Sequence, residues 1–222
     1  MNRIIEGIQH FRRDVFPANR ELFERLASGQ KPEALFIACS DSRVSLEWIT
    51  QCAPGDLFVC RNAGNIAPSH SNSDAVSATI EYAVSALRIR HIVVCGHSDC
   101  GAMKGLLHPE ALDHMPDVRG WLTHAEEARR TLESIGLPED PAERVSVLAK
   151  LNVRVQLNHL MTHPQVRARV QEGSLELHGW FYQIGSGEVS AWEPLGEEWI
   201  AVHEAPAFSS ARQKVGREAR HA

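Results

Sequence analysis

The sequence predicts an α/β fold: a mainly parallel central β-sheet flanked by helices, with an N-terminal helical arm and a C-terminal hairpin and helical region. Three observations carry that expectation. Short apolar runs at 34–38, 57–60 and 91–95 read as strands, the first and third buried on both faces as in a parallel sheet. Segments with apolar residues at three-to-four spacing stand between and around them and read as helices. Strands alternating with helices in one chain imply a sheet covered on both faces.

Taken in order, Ile4, Ile5, Ile8, Phe11 and Phe16, then Leu22, Phe23 and Leu26, predict a helical arm over residues 1–30, interrupted around Pro17. The run Ala34-Leu35-Phe36-Ile37-Ala38 is the first strand, ending at Cys39. Residues 45–51 form a short helix, and Pro54-Gly55-Asp56 is a turn into the second strand, Leu57-Phe58-Val59-Cys60. Ser73 or Asp74 caps a helix through Leu87, with Val76, Ile80, Ala83, Val84 and Leu87 inward. The third strand, His91-Ile92-Val93-Val94-Cys95, ends at Gly96-His97. Helices follow over 143–161 and 164–171, and residues 175–192 alternate as a hairpin around Gly185-Ser186-Gly187. Residues 1–205 are expected to form a single domain that includes the arm. The end of the chain, 206–222, is expected to be a flexible tail, its polar, basic residues 209–222 either disordered or lying on a neighbouring subunit.

With 222 residues, 43% hydrophobic and 23% charged, the chain has the composition of a globular domain large enough for a substantial core. A net charge of −5 gives no reason to expect nucleic acid or an anionic membrane as partner. No apolar run approaches the roughly 20 residues that span a bilayer. The first residues carry Glu6 and no continuous apolar stretch, unlike a signal peptide, so a cytoplasmic location is expected. Five cysteines at irregular spacing argue against a disulfide framework. Cys60 and Cys95 lie in apolar runs and read as small buried hydrophobes, and Cys52 receives no role.

The remaining two cysteines carry chemistry. Cys39 opens Cys39-Ser40-Asp41-Ser42-Arg43 at the end of the first strand, and the third strand runs into Gly96-His97-Ser98-Asp99-Cys100-Gly101. Ligands of open parallel sheets gather beyond the carboxyl ends of the strands, so both segments deliver their side chains to one edge. Two cysteines and a histidine form a three-ligand zinc set, which leaves the fourth position to water as catalytic zinc sites do. Asp41 and Arg43 read either as a surface ion pair or as a dyad beside the metal, with Arg43 holding the carboxylate ionised. Asp41 is also a candidate fourth ligand in a closed resting form, with Arg43 as the latch that draws it away. The segment Gly101-Ala102-Met103-Lys104-Gly105 lacks Walker spacing and reads as a helix start. His108, His114, His124, His159, His163 and His178 are scattered, and none is singled out as a proton shuttle.

These motifs resemble those of the β-class carbonic anhydrases, as does Pro54-Gly55-Asp56-Leu57-Phe58-Val59 with Arg61-Asn62-Ala63-Gly64-Asn65. The similarity runs from about residue 1 to 205 and is nearest to the bacterial and plant-like branch, including the cyanase-associated enzymes. The resemblance implies one zinc ion per chain on Cys39, His97 and Cys100, with Asp41 and Arg43 as the catalytic dyad. It implies substrate contacts at Gln30, Phe58, Tyr82 and Gly101. Another branch has a bicarbonate regulatory site with a tryptophan three residues before the first ligand; this chain has Phe36 there, with Arg61 and Tyr182 as partial counterparts.

The activity implied is reversible hydration of carbon dioxide to bicarbonate and a proton by zinc-bound hydroxide. Two thiolates cancel the formal charge of zinc, which implies activity that climbs into the alkaline range. A homodimer or larger homo-oligomer with sites at the subunit interface is likewise implied. Two alternatives share the metal set: a hydrolase of carbon disulfide or carbonyl sulfide, and a non-catalytic zinc or bicarbonate scaffold. A thiol redox protein would need a Cys-x-x-Cys pair, which the sequence lacks.

Overall fold

The apolar run before Cys39 is a strand, β1 (Ala34–Cys39), with every residue buried, as packing on both faces requires. In this computed structural model, which describes residues 1–70 and 74–202, a helical arm precedes it. The arm comprises α1 (Asn2–His10), α2 (Phe16–Ala18) and α3 (Arg20–Ala27), with a π-helical turn over Phe11–Val15. Pro17 stands at the start of α2, a position that tolerates its missing N–H, so the break falls at Asn19 instead (φ −121°, ψ 23°). The rings of Phe11, Phe16 and Phe23 gather at centroid distances of 5.3–6.1 Å. No residue of the arm's helices is buried.

After β1 come α4 (Leu46–Thr50) and β2 (Leu57–Asn62). The next helix, α5 (Ala75–Glu81), is capped by Asp74, which accepts from the N–H groups of Val76 (2.8 Å) and Ser77 (2.9 Å). Ser73, the other cap considered, lies outside the described residues. A π turn, Tyr82–Ala86, carries this helix on to Leu87. The third strand, β3 (His91–His97), is longer than its apolar run, so His97 is its last residue.

Three helices then pack where only a helix start at Gly101 is expected from the residues. They are α6 (Gly101–Leu107), α7 (Pro116–Leu122) and α8 (Glu126–Ile135), joined through 3-10 turns at Pro109–Leu112 and Thr123–Ala125. The long helix α9 (Pro141–Leu160) begins two residues earlier than expected, because Asp140 caps it and Pro141 fits its first turn. It is followed by α10 (Pro164–Gln171), β4 (Glu176–Tyr182), β5 (Val189–Glu193) and β6 (Glu198–Ala201), the last unanticipated. The expected domain end at residue 205 and the tail 206–222 fall outside the described residues.

The strands form one six-stranded sheet of order β2-β1-β3-β4-β5-β6. The first four in that order are parallel, β5 adds antiparallel to β4 and β6 antiparallel to β5, so the expected hairpin is β4 with β5. Adjacency of β1 and β3, with Ala38 opposite Cys95, is what brings Cys39 and His97 to one edge.

On one face, α9 crosses β3 and β4 closely. A Cβ added at Gly96 or Gly179 would stand 2.8 Å from a methyl of Val153, so both positions exclude a side chain. On the other face Phe36, Val93 and Trp180 belong to a smaller buried cluster. A groove of about 660 Å³ opens there, lined by Phe36, Ile49, Leu57, Trp180 and Val202 among others.

Gly179→Ala is expected to destabilise the protein by about 1–3 kcal/mol through overpacking against Val153. Val153→Ala in the same chain should recover part of that loss, read as guanidinium midpoints at fixed protein concentration. Equal costs in both backgrounds would disprove the close approach.

Candidate metal centre

Cys39 ends β1 and is followed by a tight loop, in which Val44 N–H bonds the carbonyl of Asp41 at 3.1 Å. The loop is shaped from the neighbouring strand. Arg61 of β2 lays its guanidinium on the carbonyls of Cys39 (2.8 Å), Asp41 (2.8 Å) and Val44 (2.7 Å). Three backbone acceptors that the loop leaves outside any ladder are thereby satisfied by one side chain. Arg61 thus serves as a clamp on the loop.

His97 is fully buried at the end of β3. Its Nδ1 lies 2.8 Å from the carbonyl of Ser98, and bonding a carbonyl requires a proton on that nitrogen. Nε2 therefore carries the lone pair, and among the described residues it has no hydrogen-bond partner in spite of its burial. Cys100, also fully buried, is the residue before α6. Its sulfur is 4.0 Å from that of Cys39, close to the roughly 3.8 Å that two thiolates on a tetrahedral zinc span. The ligand atoms of Cys39, His97 and Cys100 all lie within 4.8 Å of one another.

The two thiols titrate as a pair. The Cys100 side chain, followed by that of His97 and the N–H of Gly64 at 3.4 Å, holds the Cys39 thiol low against the effect of burial. The Cys39 sulfur, followed by burial, pushes the Cys100 thiol far up. Two buried sulfurs and an imidazole lone pair converging within 4.8 Å of one another fit a zinc ion.

Arg43 and Asp41 form a fork-to-carboxylate pair, with Nε to Oδ1 at 2.9 Å and Nη2 to Oδ2 at 2.7 Å. The guanidinium holds the Asp41 carboxyl far below the ordinary carboxylate range. Arg43 Nη1 also reaches Asp99 at 2.9 Å, and Lys104 closes on the same carboxylate. Asp99 takes a left-handed backbone conformation (φ 57°) that turns the chain between His97 and Cys100. In this arrangement Asp41 is engaged with Arg43, and its Oδ2 is 4.0 Å from His97 Nε2.

The other residues named from the sequence are distributed differently. Gly101 is the first residue of α6, directly after Cys100. Phe58 pairs in register with Leu35, four residues before Cys39, and so sits roughly 13 Å back along the sheet. Its ring faces Tyr82 at 5.9 Å between centroids, and Tyr82 is 51% exposed. Gln30 is exposed in the link before β1. Within one chain, then, Phe58 and Tyr82 are brought together, away from the Cys39 cluster. Of the partial counterparts to a regulatory site, Arg61 is committed to the loop carbonyls, and Tyr182 pairs with His97 across β3 and β4.

Sequence reading missed the layer beneath. Gly64, whose N–H meets Cys39, has its carbonyl held by Asn152 Nδ2 at 2.9 Å. Gln156 donates to Asn152 Oδ1 at 2.8 Å and accepts from Ala67 N–H at 3.0 Å. Asn152 and Gln156, both fully buried on α9, thus fix the 63–67 loop under the metal site. Their only signal in the sequence is a pair of amides one helical turn apart on an otherwise apolar face.

Comparison with known proteins agrees with this geometry. The carbonic anhydrase family model matches residues 34–189. A carbonic anhydrase of Pseudomonas aeruginosa is 48% identical over 207 residues, covering 93% of this chain and 94% of that protein. Carbonic anhydrase 1 of Escherichia coli O157:H7 is 45% identical, covering 90% of this chain and 91% of that protein. Among solved structures, the β-carbonic anhydrase CcaA superposes with a TM-score of 0.87 at 45% identity, over 90% of this chain and 91% of that one. A tetrameric β-carbonic anhydrase from Sordaria macrospora gives a TM-score of 0.76 at 36% identity, over 86% and 95%.

Replacing Asn152 by Leu leaves the Gly64 carbonyl without its donor in a buried setting. The expected cost is about 1–3 kcal/mol of stability. Urea unfolding at constant protein concentration measures it, and an unchanged midpoint would remove Asn152 from the support of the site.

Proposed function

The chain belongs to the β-class carbonic anhydrases, and from that premise we propose that it hydrates carbon dioxide reversibly at a zinc ion held by Cys39, His97 and Cys100. The observation that carries this reading is the buried cluster itself, with His97 Nε2 unpartnered and Asp41 Oδ2 4.0 Å away. Zinc bound there supplies Lewis-acid activation of a water for attack on carbon dioxide.

The protein's own groups do the rest. Asp41, ionised across the working range, accepts a hydrogen bond from the reacting water and aims its lone pair at the substrate carbon. Arg43 fixes the direction of that carboxylate, and its second contact, to Asp99, keeps the fork from turning away. A carboxyl held below its ordinary pKa gains its stabilisation above the unfolded value and loses it only as pH falls through the lowered one. The pair therefore persists through neutral and alkaline pH, where the activity is expected.

A second copy of the chain supplies the remaining wall of the pocket in this reading. Phe58 and Tyr82 form an apolar surface suited to a linear nonpolar molecule, and the Gln30 amide donates to an oxygen as charge develops on it. The Gly101 backbone lines the same space from the metal side. Association is supported by the arm, where Ile4, Ile5 and Ile8 are 48–61% exposed, and by the open apolar groove on the sheet. Residues 1–205 act as one domain in this account. Five free cysteines suit a reducing compartment such as the cytoplasm.

Stopped-flow hydration of carbon dioxide, on protein with its zinc quantified, tests the assignment. Turnover is expected to rise from pH 6 to 9, with one zinc per chain. Cys39→Ser and His97→Ala should lose both metal and activity, whereas Asp41→Asn should keep zinc and lose most turnover, by about 10²-fold or more. Full zinc without turnover would shift the function to carbon disulfide or carbonyl sulfide.

Light scattering should find a dimer or larger assembly. A monomer at every concentration would contradict a pocket completed by a second copy.

A further inference from the structure

At the end of the sheet away from Cys39, β3 and β4 bring a second set of metal-binding side chains together. His91 and Glu176 are register partners, and His178 lies two residues further along β4, on the same face as Glu176. His91 Nδ1 is 3.1 Å from His178 Nε2. Glu176 Oε2 is 4.0 Å from the former and 3.8 Å from the latter. Three atoms at these separations share one equidistant point close to their own plane, about 2.1 Å from each. That is the length of a zinc–imidazole or zinc–carboxylate bond.

We propose that His91, Glu176 and His178 form a second site for a divalent transition ion, independent of the Cys39 cluster. Two imidazoles and a carboxylate suit zinc, copper or nickel rather than calcium or magnesium. Without an ion, the facing ring nitrogens of His91 and His178 hold a proton between them; a cation takes that proton's place and engages the carboxylate as well. In the protomer all three residues are half-buried and line a cavity of about 510 Å³, which shares Phe36, Leu57 and Trp180 with the neighbouring groove on the same sheet face. Glu33 and Asp56 line the same cavity, and their carboxylates favour a cation there. The open side of the ligand plane leaves positions for water.

The ion would pin β3 to β4 at their first residues. The last residues of the same strands are His97 and Tyr182, six residues and roughly 20 Å further on. The site therefore acts on the strands that carry the catalytic histidine without touching the reaction. Its expected consequence is thermal stabilisation that grows with ion concentration, since the ion binds the folded chain alone.

The test is zinc titration of the purified holoenzyme, already carrying one zinc per chain, in competition with a chromophoric chelator. One further zinc per chain is expected, with a melting temperature that rises as zinc is added. Losing a direct ligand weakens a site at least as much as losing a supporting hydrogen bond, so His91→Asn and Glu176→Gln should each weaken the second zinc by at least 10–100-fold. Both should leave the first zinc and carbon dioxide turnover in place, and metal-free melting curves like that of the parent would establish that they fold. Cys39→Ser should lose the first zinc and keep the second, which separates this inference from the assignment of the catalytic metal. No second zinc in the parent, or a second zinc unaffected in both His91→Asn and Glu176→Gln, overturns the proposal.

Discussion

Two sulfurs and a bare imidazole nitrogen, shut away from water within 4.8 Å of one another, are the constraint around which this fold is arranged. Such groups repel or go unsatisfied unless a cation joins them, so the positions of their backbones must be imposed from outside. The imposition comes from three directions. Arg61 fixes the loop after Cys39 from the neighbouring strand, and the Ser98 carbonyl sets the tautomer of His97. Asn152 and Gln156 hold the loop that offers Gly64 N–H to Cys39. None of these groups reacts, yet each decides where a ligand atom points.

The same geometry explains why the dyad sits at the rim rather than inside. In the proposed reaction Asp41 is ionised and aimed, and a carboxylate sealed beside two thiols would resist ionisation. Partial exposure of the Asp41–Arg43 pair, with Asp99 and Lys104 as outer partners, lets a network of charges hold orientation where single surface pairs contribute little.

What could be read from the sequence follows the range over which each signal acts. Strands β1 and β3 are continuous apolar runs, and Cys39 and His97 terminate them, so the fold class and the Cys39–His97–Cys100 cluster were both legible locally. The helices α6, α7 and α8 were not, because Pro109, Pro116 and Gly120 cut the segment into pieces too short for a helical period to emerge. Strand β6 has four residues and pairs only with β5, again too little pattern to separate from a loop. Arg61, Asn152 and Gln156 act on residues 17 to 89 positions away, and no local pattern encodes such a partner. Phe58 and Tyr82 read as core from the residues alone and were marked only by family resemblance; Phe58 is partly buried against the core, whereas Tyr82 is 51% exposed, so the core reading is incomplete.

That incompleteness is a property of the protomer as a whole. An arm with an apolar stripe and no buried residue does not hold itself in place, because most helical stability in proteins comes from packing such a face. Across the molecule, the sheet face bearing Phe36 and Trp180 has, among the described residues, only the short helix α4 against it, where α9 covers the opposite face. Each surface lacks what the other has, a stripe without a groove and a groove without a stripe. Phe58 lies toward the amino-terminal ends of the parallel strands with Tyr82, of the turn after α5, against it, whereas Cys39 and His97 end β1 and β3 at their carboxyl ends. Under the proposed association, one act of packing would complete both the core and the substrate pocket.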